Sequence, residues 1–229
     1  RVQYEARTKK SPVFEILPLE PNSGFARLPE PSIGDVFFDI EGDQFIGKSG
    51  REYLLGWTTK DKSGALKYDR IWSYDDAQEK AGFELFMDTV MLRWSKHPEM
   101  HVYHFHHYEQ TALKKLAGKF ATRSVELDQL LRAEIFIDLH RVTREAIRAG
   151  IERYSIKDLE QFYGLEREAD LQDANHDRHA LERLMELGFT PLPEDLQKTV
   201  ELYNKDDCDS TLALRDWLEQ LRIEQITAG

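Results

Sequence analysis

From Asp35 onward the apolar positions of the chain fall into two alternating kinds of period. In DVFFDIEGD (35–43), Val36, Phe38 and Ile40 point one way and Phe37, Asp39 and Glu41 the other, the two-residue period of a strand. REYLLGWTT (51–59) and ALKYDRIWSY (65–74) are rich in aromatic and β-branched residues, and Asp61, Lys62, Ser63 and Gly64 lie between them. They predict two further strands joined by a hairpin turn. A helix is expected from about Asp75 to Lys96, with Phe83, Phe86, Val90 and Leu92 among its apolar residues. HVYHFH (101–106) predicts a short fourth strand, followed by a helix from Tyr108 to Phe120, and EIFIDLH (134–140) a fifth strand. Three helical segments come next, Val142–Ala149, Ile156–Tyr163 and Asp177–Leu187, with Gly150, Gly164 and Gly188 at their C-terminal ends. Ser155 and Asp158 form a capping-box pattern at the second of them. A final long helix is expected from about Pro193 to beyond Leu221. Three hairpin-linked strands followed by helix–strand repeats predict an α/β domain built on a mixed five-stranded sheet, with helices on both faces.

Residues 1–34 lack such a period. Pro12, Pro18, Pro21, Pro29 and Pro31 interrupt them, and they read as a linker or strap on a domain spanning residues 35–229.

Composition narrows the class. The length of 229 residues is enough to bury a substantial core. The single Cys208 excludes an internal disulfide and a cysteine-based zinc site. No apolar run approaches the roughly 20 residues needed to cross a bilayer, and from the polar start RVQYEARTKK no signal peptide is expected. The expected location is cytoplasmic, with no membrane partner. The sequence does not begin with Met, and the expectation is a piece of a longer chain. Acidic residues outnumber basic ones 42 to 31, a net charge of -11. Nucleic-acid-binding domains are usually basic, so this charge argues against tight, stand-alone binding of DNA.

Three sites place acids where the pattern calls for apolar residues. Asp39 and Glu41 share a strand face with Phe37, roughly 6.6 Å apart along the strand. Glu109 precedes Leu113, Leu116 and Phe120 at helical spacing, although a first-turn Glu also suits a helix dipole. Tyr203 and Asp207 lie on the face continued by Leu214, Leu218 and Leu221, whereas Asp206 and Asp209 fall off that stripe and are expected to be solvated. Carboxylates crowded on packed surfaces resist ionisation, and a divalent cation removes the conflict. Oxygen-only ligands suit Mg²⁺ or Mn²⁺, and four carboxylates can hold two such ions for phosphodiester cleavage. Tyr203, with an ordinary pKa of about 10, is placed to orient a water rather than to deprotonate it.

These residues resemble a known family. DIE (Asp39–Glu41) resembles the first Asp-x-Glu motif of the DEDD exonuclease superfamily, and YNKDD, with Tyr203 and Asp207, resembles the third motif of its tyrosine-bearing branch. FHHYE ends at Glu109 where the second motif usually ends in Asp. The extra methylene displaces the carboxylate by roughly 1.5 Å. YSIKDLEQFYG (154–164) is similar to the helix preceding the third motif. The resemblance spans about Asp35 to Leu221, and is nearest to the ribonuclease H-like domain of the predicted RecB-like nucleases. It implies a ribonuclease H-like fold and a 3′→5′ exonuclease acting on single-stranded DNA in repair or processing. It also implies two Mg²⁺ or Mn²⁺ ions on Asp39, Glu41, Glu109 and Asp207, with Tyr203 positioning the water. The partners it implies are a superfamily-1 helicase and a further nuclease domain in the full-length chain. RNA as the substrate, and a catalytically weak nucleic-acid-binding or partner-binding module, are the alternatives.

Other features are ambiguous. His104, His106 and His107 read as a packed, partly exposed strand end before they read as a metal pair. Asp138 is either a ligand or structural, and the resemblance makes it structural. Arg141, Arg144, Arg148, Arg153 and Lys157 are either a solvated face or contacts to phosphates. Cys208 points off the buried stripe, and Trp57, Trp72, Trp94 and Trp217 read as core.

Overall fold

The computed structural model describes residues 13–228, ordered as β1 (Phe14–Ile16), a 3-10 turn (Gly24–Arg27), β2 (Val36–Asp43), β3 (Arg51–Lys60), β4 (Leu66–Trp72), α1 (Asp76–Lys96), β5 (Val102–His104), α2 (Tyr108–Phe120), α3 (Ser124–Arg132), β6 (Phe136–Asp138), α4 (Leu139–Ala146), β7 (Ile147–Ala149), α5 (Ile156–Tyr163), α6 (Leu171–Glu186) and α7 (Glu194–Ala228). Among the described residues, β4-β3-β2-β5-β6 form a five-stranded sheet and β1-β7 a two-stranded ribbon. β2 pairs antiparallel with β3, and β3 with β4. β2–β5 and β5–β6 are parallel. The mixed sheet is thus the expected ribonuclease H-like one.

The alternation in β2 decides which helices cover which face. Val36, Phe38 and Ile40 pack with Phe83, Phe86, Leu113 and Leu127 from α1, α2 and α3. Phe37 packs with Tyr103, Val142, Leu214 and Leu218, on the side of α4 and α7. Complete burial of one such side chain contributes about 1.5–3 kcal/mol, so a one-residue slip of β2 would forfeit several contacts at once. The same constraint sends Asp39 and Glu41 toward α7.

Three elements depart from the expected boundaries. α3 was not anticipated. Its nine residues bury only Leu127 and Leu130, too few to display a helical period. The expected helix 142–149 instead starts at Leu139 and stops at Ala146, and Ile147–Ala149 form β7 against β1. Gly150 therefore ends no helix. The reason is non-local: β7 exists because the strap supplies its partner, 131 positions away in the pair Ile16↔Ile147. α6 begins six residues before the expected Asp177, at Leu171, because Asp170 accepts from the backbone N–H groups of Gln172 and Asp173. The cap at α5 follows the expected pattern: Ser155 Oγ accepts from Asp158 N.

Residues 13–34 lie against the domain, where Phe25 and Leu28 are buried among α4 and α7 residues. Arg222 of α7 donates to Leu28 O (3.2 Å) and Glu30 Oε1 (2.5 Å). The part of the strap expected over residues 1–12 lies outside the described residues. No described helix is long and apolar enough to cross a membrane.

Candidate active site

Asp39 stands opposite Gly56 in the β2–β3 register, and Glu41 comes just before the irregularity at Glu41/Gly42. Asp207 arrives from α7, which crosses the same face. One carboxylate oxygen from each of Asp39, Glu41 and Asp207 lies within 4.8 Å of the others. Glu41 and Asp207 are buried, and Asp39 is half-buried.

The close approach of α7 depends on a missing side chain. A Cβ on Gly56 would meet Asn204 Oδ1 at 1.7 Å. Into that space Asn204 inserts its amide, donating from Nδ2 to Asp39 Oδ2 (2.8 Å) and accepting from Tyr68 Oη (2.8 Å). Sequence reading missed Asn204. Its signals were an amide three residues before Asp207 and a glycine inside an otherwise bulky strand.

The acids repel one another. Burial, then the neighbouring charges of Glu41, Asp207 and Glu109, pushes Asp39 well above the usual carboxylate range. Burial and the Asp207 charge raise Glu41 to about 7, with Arg178 and Lys157 opposing. Asp207 is answered directly by two cations. Arg167 Nη2 donates to Oδ1 at 2.5 Å, and Lys157 Nζ to Oδ2 at 3.3 Å. Arg167 is itself forked onto buried Glu160, with Nε at 3.0 Å from both carboxylate oxygens and Nη2 at 2.5 Å from Oε1. Ser210 Oγ also donates to that Oε1 (2.8 Å). Burial would lower the Lys157 pKa, but Asp207 and Tyr203 outweigh it and hold the ammonium charged. Arg167 was another residue the sequence reading passed over. It sits in the loop between α5 and α6, and nothing local marks it as a partner for Asp207.

Glu109, in the first turn of α2, is 3% exposed. It lies outside the group of three carboxylates, yet its charge acts on Asp39. His104 Nδ1 is 3.4 Å from Glu109 Oε2, but at 2.6 Å it engages His106 O. Glu109 Oε2 is therefore buried with no hydrogen-bond partner. Burial raises its pKa, with His104 opposing. Clustered oxygen donors and an orphaned buried carboxylate oxygen nearby fit a hard divalent cation such as Mg²⁺ or Mn²⁺.

Tyr203 is 7% exposed and packs with Ala169 and Ala174. The Lys157 ammonium lies 4.7 Å from its ring centroid and the Arg167 guanidinium 5.8 Å. Burial first, then Asp207, raises its hydroxyl pKa.

Several expectations are corrected. Asp206 is not solvated but 3% exposed, accepting from Ala169 N (2.9 Å) and Glu168 N (3.3 Å). Asp209 is half-buried and accepts from Thr58 Oγ1 and Lys205 Nζ. Cys208 is buried as well, its thiol donating to Gly56 O (3.3 Å). α7 is thus enclosed on more than one stripe, because β3 lies beneath it as well as β2. His104 is fully buried rather than partly exposed. Asp138 caps α4, accepting from His140 N and Arg141 N. Trp57 is buried, while Trp72, Trp94 and Trp217 are only half-buried.

Beside the carboxylates is a cleft of about 450 Å³, lined by Asp39, Asp207, Arg153, Lys157, His106 and Tyr154, among others. His106 has φ 82°, a costly conformation for a residue with a Cβ. It is pinned through its N–H to Asp138 Oδ1 (2.9 Å) and its carbonyl to His104. Of the basic stretch, only Arg153 and Lys157 reach this cleft. Arg141 pairs with Glu145 (2.9 Å) and lines a different groove, and Arg144 and Arg148 are exposed.

Comparison of the chain with curated proteins and with solved structures gave no match. A family profile, RNase_H_2, described as RNase_H superfamily, matches residues 36–219. That interval runs from the first residue of β2 into α7 and contains every carboxylate of the cluster, so the chain belongs to the RNase_H superfamily.

Proposed function

We propose that the chain is a metal-dependent nuclease, a 3′→5′ exonuclease that hydrolyses single-stranded DNA to nucleoside 5′-monophosphates. In this reading it is the nuclease domain of a larger helicase–nuclease. The observation that carries it is the convergence of Asp39, Glu41 and Asp207 within 4.8 Å on one face of a ribonuclease H-like sheet. Those residues, with Glu109, are the ones to hold two Mg²⁺ or Mn²⁺ ions. Bound there, such ions supply Lewis-acid stabilisation of the attacking and leaving oxygens.

The protein groups supply position and charge. Asn204 fixes the orientation of Asp39, and Arg167 that of Asp207. Tyr203, one helical turn before Asp207, orients the attacking water. Its raised pKa makes it a hydrogen-bonding group and a poor base. The cleft lined by Arg153 and Lys157 admits the strand end.

The test is digestion of 3′-labelled and 5′-labelled single strands with Mg²⁺ or Mn²⁺. The expected result is stepwise shortening from the 3′ end, reduced to background by Asp39→Ala combined with Asp207→Ala. Hydrolysis that survives the double substitution overturns the assignment.

A further inference from the structure

We propose that the two cations on Asp207 have opposite parts in loading the site. Arg167 is a positioning residue that stays on Asp207. Lys157 is a stand-in cation that the metal displaces into the cleft, where with Arg153 it holds a phosphate of the nucleic acid. The inference rests on the nuclease reading above and adds to it the order in which charges exchange.

The two contacts are anchored very differently. The Arg167 side chain is 6% exposed. Leaving Asp207 means breaking a fork onto Glu160, which would strand a buried carboxylate. Its 2.5 Å contact is short. Lys157 is 30% exposed and sits 3.3 Å from Asp207, longer than the roughly 2.7–2.9 Å of a good charge-assisted hydrogen bond. Asp207 is the one carboxylate it pairs with among the described residues. Its other close neighbour is Tyr203, through both ring and hydroxyl, a neutral group that a flexible four-carbon stem can leave.

The charges set the direction of exchange. Without a metal, three close carboxylates need positive charge, and Lys157, which lines the cleft, supplies it on Oδ2 of Asp207. A divalent ion on the same carboxylates inverts the local sign and repels the ammonium. The Lys157 stem already lines the cleft together with Arg153, so the released ammonium remains where the strand backbone must pass. In a chain of net charge -11, this places positive charge at the phosphate only once the metal is in place.

The experiment measures Mn²⁺ affinity by calorimetry on the wild-type chain, on Lys157→Met and on Arg167→Met combined with Glu160→Gln, which leaves no stranded carboxylate. Melting curves with and without Mn²⁺ establish that each variant is folded. Lys157→Met is expected to bind Mn²⁺ about fivefold more tightly, the release of one partly exposed ion pair, with a larger Mn²⁺-induced rise in Tm. Loss of Arg167 is expected to weaken Mn²⁺ about tenfold or more. Thymidine 5′-monophosphate titrated into the Mn²⁺-saturated proteins is expected to bind Lys157→Met about tenfold more weakly. If Lys157→Met binds Mn²⁺ no better than wild type, or binds the nucleotide equally well, the inference is overturned and the nuclease reading stands. If the wild-type chain binds no Mn²⁺, the nuclease reading itself falls.

Discussion

Glu41 carries the clearest consequence of placing acids in a packed face. Burial, and after it the charge of Asp207, raises its carboxyl from 4.5 to about 7. The folded state then holds a proton that the unfolded chain has already released. Stability is therefore greatest below the unfolded value and is lost as pH rises through the folded one. For Glu41 that window runs from about 4.5 to about 7, and the loss is on the order of 3 kcal/mol. Asp39 shifts in the same direction and adds to it. Metal-free melting curves are expected to show Tm falling across this window. Glu41→Gln should reduce the fall, and Mn²⁺ should flatten it by satisfying the charges. A Tm that rises with pH in the metal-free protein contradicts this electrostatic picture. At this scale the sequence was informative about acids, because an acid in an apolar period stands out. It was silent about Asn204 and Arg167, whose partners lie 165 and 40 positions away.

α7 approaches β3 closely at Gly56. A Cβ there would sit 1.7 Å from Asn204 Oδ1, so Gly56→Ala forces the helix outward and takes Asn204 off Asp39. A stability loss of about 1–3 kcal/mol is expected, the usual scale of overpacking, together with weaker Mn²⁺ binding measured on the folded protein. Gly118→Ala, in α2, is the control. It meets nothing within 4 Å and should stabilise by about 0.5–1 kcal/mol, read as a rise in denaturation midpoint. Element identity was legible wherever a period ran long enough, as in β2, β3, α1 and α7. It failed for α3, with two buried leucines in nine residues, and for β7, which is a strand only because β1 pairs with it.

One buried ion pair joins α7 to Asp35, where the strap meets the sheet. Arg215 of α7 pairs with Asp35 Oδ2 at 2.5 Å and lies over the rings of Phe37 and Tyr103 at 4.8 and 5.0 Å. Asp35 also accepts from Ser32 N (2.8 Å) and His101 N (3.0 Å). Arg215→Met leaves that carboxylate buried and unpaired, which costs about 3–5 kcal/mol. A fall in Tm of the complete chain is the expected readout, and a change within error would mean that Asp35 is sufficiently held by its backbone donors. The sequence by itself determined which residues face the core and which acids share a face, since helical and strand periods are properties of the local backbone. It thereby determined the chain order of the five sheet strands and of the longer helices, and the positions of Asp39, Glu41 and Asp207 on their elements. Only the tertiary structure decided that Gly56 lets α7 close on β3, that Arg167 and Lys157 divide the two oxygens of Asp207, and that Glu109 stands apart with an unpaired oxygen. Those are relations between elements distant in sequence. They depend on crossing and depth of packing, which no local period encodes.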